Sequence, residues 1–194
     1  MELVFATNNA YKLREAEEIL GREIRVLSLR DIGCMDVLPE NGITLRENAM
    51  EKAKYLHNKY NVDCFSDDTG LEVEALNGAP GVYSARYAGP EADAQANIRK
   101  LLYEMREKRN RKAVFRTIIA LVTGGSTRFF EGSVGGIIVK APKGGEGFGY
   151  DSIFQPDGYT CTFAEMAPAQ KNSISHRFRA LTALSSCLNL HARP

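Results

Sequence analysis

Over the first third of the chain three short apolar runs alternate with two amphipathic stretches, and few architectures accept that order. ELVFAT (2–7) reads as a strand, and KLREAEEIL after it places Leu13, Ala16 and Leu20 on one helical face. IRVLSL (24–29) reads as a second strand, followed by a loop with Pro39 and Gly42. From about Thr44, Leu45, Ala49, Ala53, Leu56 and Tyr60 recur at helical spacing. VDCFS (62–66) is the third strand, and it delivers two adjacent carboxylates, Asp67 and Asp68, at its C-terminal end. Strand–helix–strand alternation of this kind predicts an α/β layered fold.

The middle of the chain breaks the pattern. LNGAPGVYSARYAGP (76–90) is an irregular loop rich in Gly and Pro. A helix is expected at about 91–109, ending in a basic run. AVFRTIIALVT and STRFFEGSVGGIIV flank Gly124-Gly125 and read as a β-hairpin, so the sheet is mixed. APKGGEGFGYD (141–151) is a second glycine-rich loop. A last helix from about Ser173 buries Ile174, Phe178, Leu181, Leu184 and Leu188. With no repeat or linker, residues 1–194 are expected to form a single α/β domain.

Composition excludes several functions. With 194 residues, 44% hydrophobic, there is material for a sizeable core, in one or two lobes. Twenty-five Lys and Arg stand against 24 Asp and Glu, a balance that argues against a nucleic-acid polymer or an anionic membrane as partner. No apolar run approaches the roughly 18 residues of a membrane span. Cys34, Cys64, Cys161 and Cys187 form no C-x-x-C pair and read as reduced thiols of a cytoplasmic protein. The three histidines make no zinc spacing, so any metal has oxygen ligands.

Two helix starts carry cations where the helix dipole favours anions. Thr7, Asn8 and Asn9 can cap the first helix, yet Lys12 sits in its first turn. Lys171, His176, Arg177 and Arg179 gather around Ser173 and Ser175, either of which can cap the last helix. Cations at such positions suit a docked phosphate; the plainer alternative is a solvated basic surface. A polyphosphate in a cell carries Mg²⁺, which takes one or two carboxylates plus water and phosphate oxygens. Asp67 and Asp68 point to opposite sides if the strand continues through them, so one can hold metal while the other points away. An Asx turn is the plainer reading of the pair. Glu40, in the loop before the second helix, is a further candidate ligand, or an exposed loop glutamate. No P-loop occurs, and GEGFG (145–149) lacks the strand–helix context and spacing of a dinucleotide site. Its glycines instead free the backbone around Phe148 and Tyr150, where Phe148 either stacks on a base or is core. The residues alone thus indicate a Mg²⁺–nucleoside-polyphosphate site, without saying which bond breaks.

Four segments, TNNAYK, SDDTGLEVEALNGAPGVYSARYAG, GFGYDSIF and KNSISHR, taken together and in order, resemble the signature segments of the inosine triphosphate pyrophosphatases. Ser152 departs from the proline usual there. The resemblance implies a long mixed, curved sheet flanked by helices in two lobes, with an active-site cleft between them, in a Mg²⁺-dependent homodimer. It implies that Thr7, Asn8, Asn9, Ala10, Tyr11 and Lys12 cradle the triphosphate, with Asp68 as metal ligand and proton acceptor. Thr69 contacts substrate; Phe148, Gly149, Tyr150 and Asp151 line the nucleoside; Lys171, His176 and Arg177 complete the pocket. The expected reaction converts deaminated purine triphosphates (ITP, dITP, XTP) to monophosphate and pyrophosphate by water attack at the α-phosphorus. Donors such as His176 or Arg177 would pair with a keto O6 and reject an adenine amine. The alternatives are a triphosphate sensor without turnover and a pyrophosphatase for standard nucleotides.

Overall fold

The computed structural model describes residues 1–21 and 24–191. Its strands are β1 (Glu2–Phe5), β2 (Arg25–Leu27), β3 (Cys64–Val73), β4 (Pro80–Gly81), β5 (Lys112–Thr123), β6 (Ser126–Ile138) and β7 (Phe154–Pro156). Its α-helices are α1 (Ala10–Leu20), α2 (Leu45–Tyr60), α3 (Ala94–Glu104), α4 (Pro168–Ile174) and α5 (His176–His191). Among the described residues the strands form one sheet, ordered β2-β1-β3-β5-β6-β7, with β4 paired to β3. β1 runs parallel to both β2 and β3, whereas β4 on β3 and β7 on β6 are antiparallel. The fold is therefore the mixed α/β fold expected. No helix among the described residues is long and apolar enough to cross a membrane.

The chain divides into two compact units. The first takes residues 1–68, 117–132 and 177 onward; the second takes 69–116 and 133–176. The first unit's core joins Leu3 and Phe5 of β1, Ala16 and Leu20 of α1, Phe65 of β3, Ile119 and Leu121 of β5, and Ala180, Leu181, Leu184 and Leu188 of α5. Phe5 and Phe65 stack with centroids 4.4 Å apart. The second unit packs Leu71, Val73, Leu101, Phe115, Ile138, Phe154 and Phe163 into a core of its own.

Local chemistry sets the boundaries. Asn9 caps α1, its side chain accepting from the amides of Tyr11 and Lys12. Thr44 and Glu47 form a capping box on α2. Gly124 and Gly125 turn β5 into β6, both with positive φ (53° and 76°), as a two-residue hairpin turn requires.

Four boundaries differ from the sequence reading. β3 does not stop at residue 66 but runs on to Val73, which puts the Asp pair inside a strand rather than at its end. Cationic partners on other elements make that possible. β2 is only three residues long. The helix expected over 91–109 is the shorter α3, capped by Asp93, and Arg111 takes the carbonyl of Met105 just past its end. The last helix is two helices broken at Ser175, whose ψ of 160° is extended. Of the five apolar residues expected on its buried side, Ile174 packs on the second unit's core. Phe178 is half-buried, and Leu181, Leu184 and Leu188 lie in the first core.

Candidate active site

In the first unit Asp67 and Asp68 are both buried, and different side chains donate to each. Asp67 Oδ1 receives Lys12 Nζ at 2.9 Å. Its Oδ2 receives the Nε and Nη2 of Arg177, each at 3.1 Å. Arg177 Nη1 in turn donates to Glu15 on α1. Asp68 Oδ2 instead receives the side-chain amide of Asn48 at 3.1 Å, while Lys52 Nζ stands 3.8 Å from its Oδ1. The same Lys52 donates to Glu40 Oε1 at 2.5 Å. Alternation along the strand explains the split: consecutive side chains leave opposite faces, so each carboxylate meets a different set of helices.

Electrostatics follow the geometry. Burial alone would push the Asp67 carboxyl up, but the charges of Lys12, Arg177 and Lys52 outweigh it and hold the group well below the usual carboxylate range. Burial also dominates at Asp68, and there Lys52, Lys12 and the Asn48 bond offset it only in part, so its carboxyl lies above the ordinary value. Lys12 is pushed down by burial despite Asp67. Lys52 and Arg177, also buried, are held up by their carboxylates. Two neighbouring carboxyls with opposite shifts are the pattern that separates a permanent anion from a group able to take a proton.

The second unit brings together Phe148, Asp151 and Lys171. Asp151 Oδ2 accepts from Lys171 Nζ at 2.7 Å and from the Phe148 amide at 2.8 Å. The Lys171 ammonium lies 4.8 Å from the centre of the Phe148 ring. A Cβ on Gly147, at φ +76°, would lie 2.2 Å from Asp151 Oδ2, so the loop needs glycine to wrap this carboxylate. Tyr150 is buried, its hydroxyl donating to the Ser84 carbonyl at 2.8 Å. His176 is buried with its ring stacked on Phe115, centroids 4.6 Å apart.

Lys12, Asp68, Glu40 and Arg177 of the sequence-derived set thus converge in the first unit, and Phe148, Tyr150, Asp151, Lys171 and His176 lie in the second. Gly149 sits in the same loop with a φ of 60°. Thr7 accepts from the Asn9 amide, Asn8 and Ala10 are exposed, Tyr11 is exposed, and Thr69 follows Asp68 half-buried. Of the cations expected at a single helix start, His176, Arg177 and Arg179 do share the first turn of α5, and Lys171 does not. Lys171 belongs to α4 and pairs with Asp151, whereas Arg177 belongs to α5 and pairs with Asp67 and Glu15.

Sequence reasoning missed Glu15, Asn48 and Lys52. A signal existed for the latter two. They fall on the stripe of α2 that holds Leu45, Ala49, Ala53 and Leu56, and a polar residue inside a buried stripe calls for a buried partner. Glu15 carries no such mark.

Among the described residues no group of three or more His, Cys, Asp or Glu gathers as a metal cage. Glu40 and Asp68 both face the Lys52 ammonium, so two hard carboxylate donors already share one positive charge. That donor set suits Mg²⁺, which asks for one or two carboxylates.

Comparison with known proteins adds an independent line. A profile described as the Ham1 family matches residues 3–187. The dITP/XTP pyrophosphatase of Flavobacterium psychrophilum is 50% identical over 184 residues, 95% of this chain and 97% of that protein. The enzyme of the same name from Bacillus subtilis is 44% identical over 191 residues, 96% of each chain. Among solved structures, the Staphylococcus aureus Ham1 protein superposes with a TM-score of 0.89 at 36% identity, covering 98% of this chain and 100% of that one.

Proposed function

The chain belongs to the Ham1 family, and from that membership we propose that it hydrolyses deaminated purine nucleoside triphosphates to the monophosphate and pyrophosphate. The relatives named dITP/XTP pyrophosphatase support the substrate class. The observation that carries the chemistry is the divided Asp67–Asp68 pair: one carboxylate bonded by Lys12 and Arg177, the other by the Asn48 amide with Lys52 Nζ 3.8 Å away.

In the proposed reaction water attacks the α-phosphorus and its bond to the α–β bridging oxygen breaks. The nucleoside monophosphate forms and pyrophosphate leaves with the bond's electron pair. Asp68 accepts the proton of the attacking water at its carboxylate. Lys12 and Lys52 bring positive charge to the phosphates, where charge builds in the transition state. Arg177 holds Asp67, and Asp67 holds Lys12. Glu40 and Asp68 would hold Mg²⁺, which when bound neutralises the triphosphate. Phe148, Gly149, Tyr150 and Asp151 keep the nucleoside role the resemblance implies, with Phe148 on the base, and Lys171 and His176 complete the pocket on phosphate and base edge. Thr7 to Tyr11 and Thr69 keep theirs on the substrate. The homodimer and the cytoplasmic location belong to the same proposal; a monomeric mass in sedimentation would remove the first.

The test is purified protein with ITP and Mg²⁺, resolving products, with XTP, ATP, GTP and dTTP in parallel. IMP plus pyrophosphate from ITP, with far less turnover of ATP, GTP and dTTP, is expected. IDP plus phosphate would overturn the bond assigned. Tight ITP binding without turnover would make the protein a sensor, and equal turnover of dTTP a pyrophosphatase of standard nucleotides.

A further inference from the structure

Asn48 is buried on α2, where an amide side chain is expensive unless all its hydrogen-bonding groups are used. Its Oδ1 accepts the backbone amide of Gly42 at 2.8 Å, and its Nδ2 donates to Asp68 Oδ2 at 3.1 Å. The first bond fixes the second: with Oδ1 turned to the Gly42 N–H, only the NH₂ end is left to face the carboxylate. Gly42 is glycine for the same reason. A Cβ there would lie 2.5 Å from the Glu47 Cβ and 2.9 Å from Asn48 Oδ1, so any side chain would push the loop off the amide. Two residues before Gly42 on that loop is Glu40, which reaches Lys52, one turn of α2 beyond Asn48.

We propose that Asn48 is a positioning residue for Asp68, its amide anchored by Gly42 so that it aims the carboxylate and couples it to the loop carrying Glu40. The proposal rests on the reading of Asp68 as the group that accepts the proton. The amide bonds Asp68 Oδ2, while Lys52 Nζ stands 3.8 Å from Oδ1, the oxygen that in this proposal faces the reacting water. Neither Asn48 nor Gly42 touches substrate in this scheme; they act through Asp68.

The test is a kinetic cycle on the full chain with ITP and Mg²⁺. Asn48→Ala lowers kcat about 10- to 100-fold, the range that residues orienting a functional ligand carry, and leaves KM within about threefold. Asn48→Asp keeps the volume and an acceptor for Gly42 but loses the donor, and it lowers kcat to a similar extent; it stands in if the alanine variant does not fold. On an Asp68→Asn background, Asn48→Ala changes the residual turnover less than about twofold, because the group it acts through is gone. A crystal structure of Asn48→Ala gives a readout independent of turnover, with the Asp68 carboxylate rotated from its native direction. Equal losses in both backgrounds, a raised KM at native kcat, or an unmoved carboxylate would each overturn the proposal and leave the assignment of Asp68 intact. Native turnover in Asp68→Asn alone would remove that assignment, and this proposal with it.

Discussion

Replacing Asp67 by asparagine leaves the half-buried Lys12 and the buried Arg177 facing an amide that cannot neutralise them. Removing one partner of a buried charge network costs about 3–5 kcal/mol, because the remaining charges stay desolvated. Replacing Asp68 removes a carboxylate whose ionised form burial already disfavours, and Lys52 keeps Glu40. Asp68→Asn is therefore expected to change stability by no more than about 1 kcal/mol while turnover falls by about two orders of magnitude or more. Asp67→Asn is expected to lose its fold at clearly lower denaturant. Urea unfolding of the two variants beside the native chain decides it, with ITP turnover measured on each. Equal loss of stability in both would show that the two carboxylates do not divide their work between holding the fold and reacting.

At the scale of elements, α2 works as a rail for the loop before it. Near the helix start Gly42 bonds Asn48 and Asn41 bonds Glu51; further along, Glu40 reaches Lys52. At the far end Asp36 accepts from Lys59 Nζ and Tyr60 Oη, both at 2.8 Å. Loop and helix thus run antiparallel, pinned at points that include the proposed ligand Glu40. The bond from Lys59, then that from Tyr60, lowers the Asp36 carboxyl to about 2. A carboxyl depressed on folding stabilises the native state above its unfolded value, and that contribution is lost as pH falls toward 2. Carboxyl NMR titration is expected to find Asp36 near that value, and Lys59→Met to move it up toward the ordinary range. An ordinary value for Asp36 in the native chain would mean that the far pin of the loop is not made in solution.

At the scale of the whole molecule, what was legible follows from the reach of each signal. The periodicity of Leu45, Ala49, Ala53 and Leu56 is local, and it placed α2; Gly124-Gly125 between two apolar runs placed the β5–β6 hairpin. The candidate site's residue types were legible too, because cations in a first helical turn contradict the dipole. Their partners were not. Lys12 and Arg177 lie 55 and 110 residues from the Asp67 they bind, and no pattern along the chain links them. The same blindness shortened β3: Asp67 and Asp68 look like a strand end until their cations are in place. β3 supplies Phe65 to one core and Leu71 to the other, on either side of the Asp pair. Both side chains are fully buried, so truncation leaves a cavity in whichever core loses the group. Phe65→Ala also forfeits the stack on Phe5 and is expected to cost about 3–5 kcal/mol, and Leu71→Ala about 2–5 kcal/mol. Those losses are a large part of the 5–15 kcal/mol typical of a folded protein. Urea unfolding should show both midpoints lowered with the slope unchanged. If either variant unfolds at the native midpoint, the core assigned to that residue does not hold its stretch of β3, and the frame around the Asp pair must be sought elsewhere.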